Sequence, residues 1–280
     1  MKIFSPAKIN LYLKIKDKRA DGYHNIETLI CPIEIFDTLS FIFGQKKVSV
    51  ESNPEICAQK DNLAFKAANL FFKEAKIKAG VKIVINKKIP AGAGLGGGSS
   101  NAAAVLSALN KYYQAVSIEK LEKIGLKLGA DVPFFIRLKP AIAKGIGEKL
   151  YEYKGLYPFY IVVVYPGFEV STLWAYRKFD EVKNNLGLTN IKKRNKYPFF
   201  TDQKNRIYIE NDLEEAIEPC YPQISDIKKA FIQNKADKTL MTGSGSAVFG
   251  IFKDFKTAKK AFEYFLTNRR LIVFNTKLIV

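Results

Sequence analysis

Between residues 7 and 16, apolar and polar side chains alternate without a break. Ala7, Ile9, Leu11, Leu13 and Ile15 fall on one face, and Lys8, Asn10, Tyr12, Lys14 and Lys16 on the other. A period of two is that of a strand, and one wholly apolar face predicts a half-buried one with Lys8 and Asn10 on the same side. Arg19-Ala-Asp21-Gly22-Tyr23-His24 is a turn. Apolar runs near 28–35, 38–43 and 47–52 predict further strands. Asp61-Asn62 followed by Leu63, Ala67, Leu70 and Phe71 is a helix start with its apolar stripe. Val81, Ile83 and Ile85 alternate as a strand. After a loop at 90–98, helical patterns cover about 100–113 and 117–128, and Asp131-Val132-Pro133 interrupts them. Strands near 141–145 and 159–165 lead to a helix over 172–183. Then come helices near 211–217 and 222–233, a strand over 246–252, a helix over 255–266 and a strand over 271–279. The stretch 184–206 has no period and predicts a loop or mobile insertion. Strands and helices without regular alternation give the α+β class. A boundary near Lys154-Gly155-Leu156 divides the chain into 1–155 and 156–280.

Composition narrows the picture. With 280 residues, 48% hydrophobic and 26% charged, the chain is neither disordered nor a disulfide scaffold. No apolar run reaches the roughly 20 residues of a membrane span, and the first residues, MKIFSPAKIN, carry no apolar export segment. Cys31, Cys57 and Cys220 are widely spaced and form no CxxC pair. That usage suits a reducing cytoplasm and argues against a structural zinc site. His24 is the single histidine, which excludes a histidine-rich metal centre. Lys+Arg 45 against Asp+Glu 27 gives a formal charge of +18. Most of these cations are lysines spread along the chain, lacking the arginine fork that reads bases. A solvated lysine surface is therefore favoured over a nucleic-acid footprint, and the positive field would also concentrate a polyphosphate substrate.

The densest chemical signal is Pro90-Ala91-Gly92-Ala93-Gly94-Leu95-Gly96-Gly97-Gly98-Ser99-Ser100-Asn101. So many glycines cost conformational entropy, so the fold must need the backbone freedom. The run leads into a helical pattern, where bare N–H groups and the helix dipole make an anion site. Ser99 and Ser100 add hydroxyl donors there and are candidates to cap the helix. A Walker A loop is excluded because Gly98 stands where its lysine must be. The GxGxxG spacing of Gly92, Gly94 and Gly97 lacks the βαβ unit of a dinucleotide site. The strand lysine and catalytic loop of protein kinases are missing too.

This run resembles the nucleotide-binding motif of the GHMP small-molecule kinases. Its triple glycine with SSNAA is similar to the branch whose acceptor is an alcohol carrying a cytidine diphosphate. Ser5-Pro6-Ala7-Lys8-Ile9-Asn10-Leu11, Asp21-Gly22-Tyr23-His24, Leu128-Gly129-Ala130-Asp131-Val132-Pro133-Phe134-Phe135 and Thr242-Gly243-Ser244-Gly245-Ser246 agree with it in order. The resemblance implies an S5-like N-terminal domain and a ferredoxin-like C-terminal domain, with the active site in the cleft. It implies ATP as phosphoryl donor with Mg2+, the loop Pro90–Ser100 around the phosphates, and an acceptor hydroxyl on the cytidine diphosphate substrate. No membrane or nucleic-acid partner is implied.

Roles follow residue by residue. Asp131 is a carboxylate for orienting or deprotonating the acceptor hydroxyl, or else the cap of a short helix opening at Pro133. Lys8 is a solvated strand-face lysine, or, by the resemblance, the cationic partner of Asp131. Asn10 shares its face and is a candidate for binding the acceptor near the reacting hydroxyl. Tyr23 and His24 match the residues that hold cytosine in the family, by stacking and hydrogen bonds. Tyr176 is a candidate second stacking aromatic, and Trp174 a core or wall residue. The loop 242–246 receives no chemistry of its own.

Overall fold

The computed structural model describes residues 1–156, 159–185 and 208–280. Most of the expected insertion at 184–206 lies outside the described residues. Two compact units interleave along the chain. The first comprises Met1–Lys8, Glu34–Ala91 and Gly96–Lys139; the second comprises Ile9–Ile33, Gly92–Leu95 and Pro140–Val280. The sequence boundary near 155 falls inside the second unit.

Strand β1 (Lys2–Lys18) begins in the first unit and β2 (His24–Gln45) ends there. The second half of β2 pairs antiparallel with β4 (Gly80–Asn86), Leu39 opposite Ile85, and β4 pairs in parallel with β3 (Ser49–Asn53). Between β3 and β4 runs helix α1 (Leu63–Ala75), started by Asn62, whose side chain accepts from the Ala64 N–H at 2.9 Å. Helices α2 (Gly97–Tyr113), α3 (Ile118–Leu126) and α4 (Val132–Arg137) complete this unit. Phe71 of α1, Leu106 of α2, Phe134 of α4 and Ile83 of β4 are fully buried in its interior.

In the second unit the first half of β2 pairs with β5 (Ala141–Gly145), which forms a hairpin with β6 (Lys149–Glu152). The rest of the unit runs through β7 (Tyr160–Tyr165), α5 (Thr172–Asn185), β8 (Glu210–Asn211), α6 (Glu214–Ile217), α7 (Pro222–Gln233), β9 (Lys238–Met241), β10 (Val248–Phe252), α8 (Phe255–Leu266) and β11 (Ile272–Lys277). Four of these strands make an antiparallel sheet in the order β11-β7-β10-β9. Helices between β7 and β9 and between β10 and β11 complete a βαββαβ pattern, the ferredoxin-like arrangement expected of this half. The short β8 pairs in parallel with β1, Leu13 opposite Asn211. Val162, Val164, Phe179, Phe231, Phe252 and Phe265 form the core beneath.

Two expectations change. The runs at 28–35 and 38–43 are one strand, because Asp37 between them is a buried, paired residue and no turn signal separates them. The short helix expected to open at Pro133 is present as α4, since Pro133 in a first helical turn gives up only an orphan N–H. Strand β1 is covered on both faces: Lys8, Asn10 and Lys14 are at most 8% exposed. Alternation reports two different faces but not which of them meets water, and a polar face inside a protein must find partners.

Candidate active site

Gly96 is the pivot of the first unit's site. It precedes α2 with left-handed backbone (φ 72°), and no side chain caps the helix. A Cβ at Gly96 would lie 2.8 Å from Cζ of Phe135 and 3.1 Å from Cγ of Lys8, so shape and backbone both require glycine. The N–H groups of Gly97, Gly98 and Ser99 form the first turn of a long helix, where donors lack intrahelical acceptors and the dipole is positive. The capping expected of Ser99 and Ser100 is not found, because both lie inside the helix, which starts at Gly97. Ser100 turns inward; its hydroxyl oxygen accepts from the Ser5 hydroxyl at 2.6 Å. Pro90 and Ala91 lead into the loop from the same unit, Ala91 exposed.

Lys8 sits beside that pivot and is 5% exposed. Burial pushes its pKa down, and the charge of Asp131 pulls it back up. The two side chains are therefore within electrostatic reach of each other. Asp131 precedes α4 with helical backbone (φ −78°, ψ −15°), and its side chain makes no capping hydrogen bond. Of the two roles open from sequence, capping is set aside, and the partly exposed carboxylate remains available for chemistry.

Beneath the loop runs a polar network that the sequence reading missed. Asp37 is completely buried and pairs with the Lys87 ammonium. Its Oδ1 accepts from the N–H groups of Lys88 (2.7 Å) and Ile89 (2.9 Å). Nδ2 of Asn101 donates to Oδ2 of Asp37 (2.9 Å) and to the Ser5 hydroxyl (3.0 Å), while its Oδ1 accepts from Lys87 at 3.1 Å. Ser5, Asp37, Lys87 and Asn101 thus tie β1, β2 and the chain after β4 to the first turns of α2. Ser5 and Asn101 lay within the recognised motifs. The only signal for Asp37 was an acid between two strand runs with no turn residue beside it.

The second unit holds Gly92–Leu95. Ala93 and Leu95 are buried, so their side chains face inward and only their backbone can meet a ligand. Gly94 (φ 75°) presses on the loop 242–246, where a Cβ would be 2.2 Å from the Thr242 carbonyl oxygen. The Ala247 N–H donates to the Ala93 carbonyl at 3.2 Å. The side-chain amide of Asn211 donates to the carbonyls of Met241 and Gly243, each at 2.8 Å, and fixes the loop from behind. Loop 242–246 is thus a buttress for Gly92–Leu95. Thr242 also holds Asn10: its hydroxyl oxygen accepts from the Asn10 N–H at 3.0 Å. Asn10 Nδ2 donates to Thr28 at 2.8 Å, so this side chain is oriented by the protein. Side chains of Glu169 lie against exposed Gly92.

The aromatic end of this unit is built on the 19–24 turn and α5. Tyr23 is 62% exposed, free for stacking, whereas His24 is buried at the start of β2. Tyr176 stacks on the His24 ring with centroids 5.1 Å apart and planes 23° apart. Nε2 of His24 lies 2.8 Å from Oδ1 of Asp180. Trp174 packs on the core and meets Tyr221 edge-on at 5.5 Å. No helix among the described residues is long and apolar enough to cross a membrane.

Comparison with known proteins gives the same answer in both units. Residues 62–137 match the GHMP kinases N terminal domain, and residues 202–269 match the GHMP kinases C terminal domain. The chain is 43% identical to a 4-diphosphocytidyl-2-C-methyl-D-erythritol kinase of Syntrophotalea carbinolica, over 92% of each chain. It is 42% identical to the Methylacidiphilum infernorum protein of that name, over 89% of this chain and 85% of that one. A crystal structure of 4-(cytidine 5'-diphospho)-2C-methyl-D-erythritol kinase superposes with a TM-score of 0.81 at 32% identity, covering 99% of both. A Methanococcus jannaschii mevalonate kinase, at 15% identity and a TM-score of 0.69, shares the fold.

Proposed function

The chain belongs to the family of 4-diphosphocytidyl-2-C-methyl-D-erythritol kinases, within the GHMP kinases, and we propose that Lys8, Asp131 and the glycine loop carry its phosphoryl transfer. It is an ATP-dependent small-molecule kinase that phosphorylates 4-diphosphocytidyl-2-C-methyl-D-erythritol on the route to isoprenoid precursors. The group phosphorylated is the tertiary 2-hydroxyl. The matched segments 62–137 and 202–269 lie on either side of residue 155 and support family halves at 1–155 and 156–280.

The observation that carries the assignment is buried Lys8, within electrostatic reach of Asp131 and with its stem beside Gly96 at an uncapped helix start. Phosphoryl transfer needs positioning and charge neutralisation more than covalent chemistry. The N–H groups of Gly97, Gly98 and Ser99, with backbone from Pro90 to Gly96, receive the nucleotide phosphates, while Ser100 anchors the helix that carries them. Asp131 accepts the proton of the acceptor hydroxyl, whose oxygen bonds to the γ-phosphorus as the bond to the β-phosphate oxygen breaks and ADP leaves. The Lys8 ammonium offsets charge on the transferring group.

Among the described residues no cluster of His, Cys, Asp and Glu side chains forms a metal cage. Mg2+ would be carried in on the phosphate oxygens of ATP, with water completing its shell, and would supply charge neutralisation to the transferring group. Tyr23, His24 and Tyr176 bind the cytosine end, and Asn10 the erythritol portion.

Asp131→Asn should lower kcat by roughly 100- to 10,000-fold, the range of a lost general base, with ATP binding nearly unchanged and the melting temperature at neutral pH lowered, because buried Lys8 loses the charge that offsets its burial. Steady-state kinetics beside nucleotide titration test this. A variant that turns over at the native rate removes Asp131 from the mechanism.

A further inference from the structure

We infer that Asp180 is a specificity-determining residue: it fixes the His24 ring in the form that accepts a hydrogen bond from cytosine and not from uracil. The inference rests on the reading of His24 as a base-binding residue. Asp180 itself is a positioning residue, acting through the imidazole.

The geometry sets the proton. Oδ1 of Asp180 is 2.8 Å from Nε2 of His24, and Oδ2 accepts from the Lys18 ammonium at 2.6 Å. A carboxylate whose two oxygens are both engaged in this way only accepts, so Nε2 carries the hydrogen. In the neutral ring Nδ1 is then a lone-pair acceptor, and it has no partner among the described residues. The ring cannot easily turn to exchange its nitrogens. Its side chain is 6% exposed, Tyr176 stacks on one face, and Phe179 meets it edge-on at 6.5 Å. Tyr176 and Asp180 are one turn apart on α5, so a single helix face supplies both the stack and the orienting carboxylate.

The chemistry of the two pyrimidines then decides. Cytosine carries an exocyclic amine, a donor, where uracil carries a carbonyl oxygen, an acceptor. An acceptor at Nδ1 completes a hydrogen bond with the first and sets two lone pairs against each other with the second. A site built to bond a polar group rejects the analogue that cannot make the bond, because its own group is left unsatisfied. Without Asp180 the ring would sample both tautomers, and the tautomer bearing the hydrogen on Nδ1 would accept uracil.

Equilibrium titration of the full chain with CDP and with UDP tests this, together with steady-state kinetics. The native chain should prefer CDP. Asp180→Ala should shrink that preference by about tenfold, the size of one hydrogen bond. KM for the acceptor should rise, while KM for ATP and kcat at saturating acceptor stay within about twofold. Unaltered ATP kinetics also report intact folding, and alanine is a stronger helix former than the residue it replaces. Asp180→Glu should restore part of the preference. On a His24→Ala background, Asp180→Ala should change nothing further, since it acts only through the ring. A CDP-over-UDP ratio that survives Asp180→Ala overturns the role of Asp180 while leaving the cytosine reading intact. A native chain indifferent between CDP and UDP overturns both.

Discussion

An ammonium taken out of water lowers the stability of the chain that buries it, and Lys8 is such a group. Burial depresses its pKa more than Asp131 restores it. The folded chain therefore holds this proton less tightly than the unfolded chain. The resulting penalty is fully present below the folded pKa. It fades as pH rises from there to the ordinary lysine value of about 10.4. Lys8→Met keeps the stem against Gly96 and removes the charge. It should reduce kcat by about 100-fold or more, while the melting temperature at neutral pH stays level or rises. Thermal melts across pH check the sign: any gain should be largest near neutrality and gone in strong alkali. A melting temperature that falls with the substitution would mark Lys8 as structural.

At the scale of elements, the start of α2 is held by side chains from three other chain segments, through Ser5, Asp37 and Lys87. Asp37→Ala leaves the Lys87 ammonium and two backbone N–H groups buried without their acceptor. The cost should be about 3–5 kcal/mol in denaturant unfolding. Replacing the pair together, Asp37→Leu with Lys87→Met, should return much of that stability, because an apolar pair of similar volume needs no partners. The same network marks the limit of what the sequence discloses. The glycine loop, Lys8 and Asp131 were legible because their chemistry dictates residue type and local spacing. The helix start at Asn62 was legible because a cap is a local hydrogen bond. The Asp37–Lys87 pair joins residues far apart in the chain, and alternation cannot say that both faces of β1 are covered. His24 read as an ordinary turn residue until the resemblance gave it a base to bind, and its partner Asp180 comes from a helix far along the chain.

For the whole molecule the governing quantity is the net charge of +18. ATP and a cytidine diphosphate are both polyanions, and a positive field raises their encounter rate. Screening shortens that field to about 8 Å at physiological salt. Raising ionic strength from about 20 mM to about 200 mM should therefore lower kcat/KM for both substrates several-fold, with kcat at saturation little changed. Stopped-flow binding would place the loss in the association rate; a loss confined to dissociation would assign the charge to local contacts instead. All three cysteines are free, and burial pushes the Cys31 thiol above its ordinary pKa, which leaves it unreactive.

The crowding at Gly96 has an evolutionary corollary. Phe135 and the Lys8 stem occupy the volume that any larger residue at 96 would need. Lys8 is constrained by its charge, so only position 135 has room to yield. Across descendants of this chain, 96 should stay glycine even where 135 shrinks, because its left-handed backbone bars a side chain whatever the space.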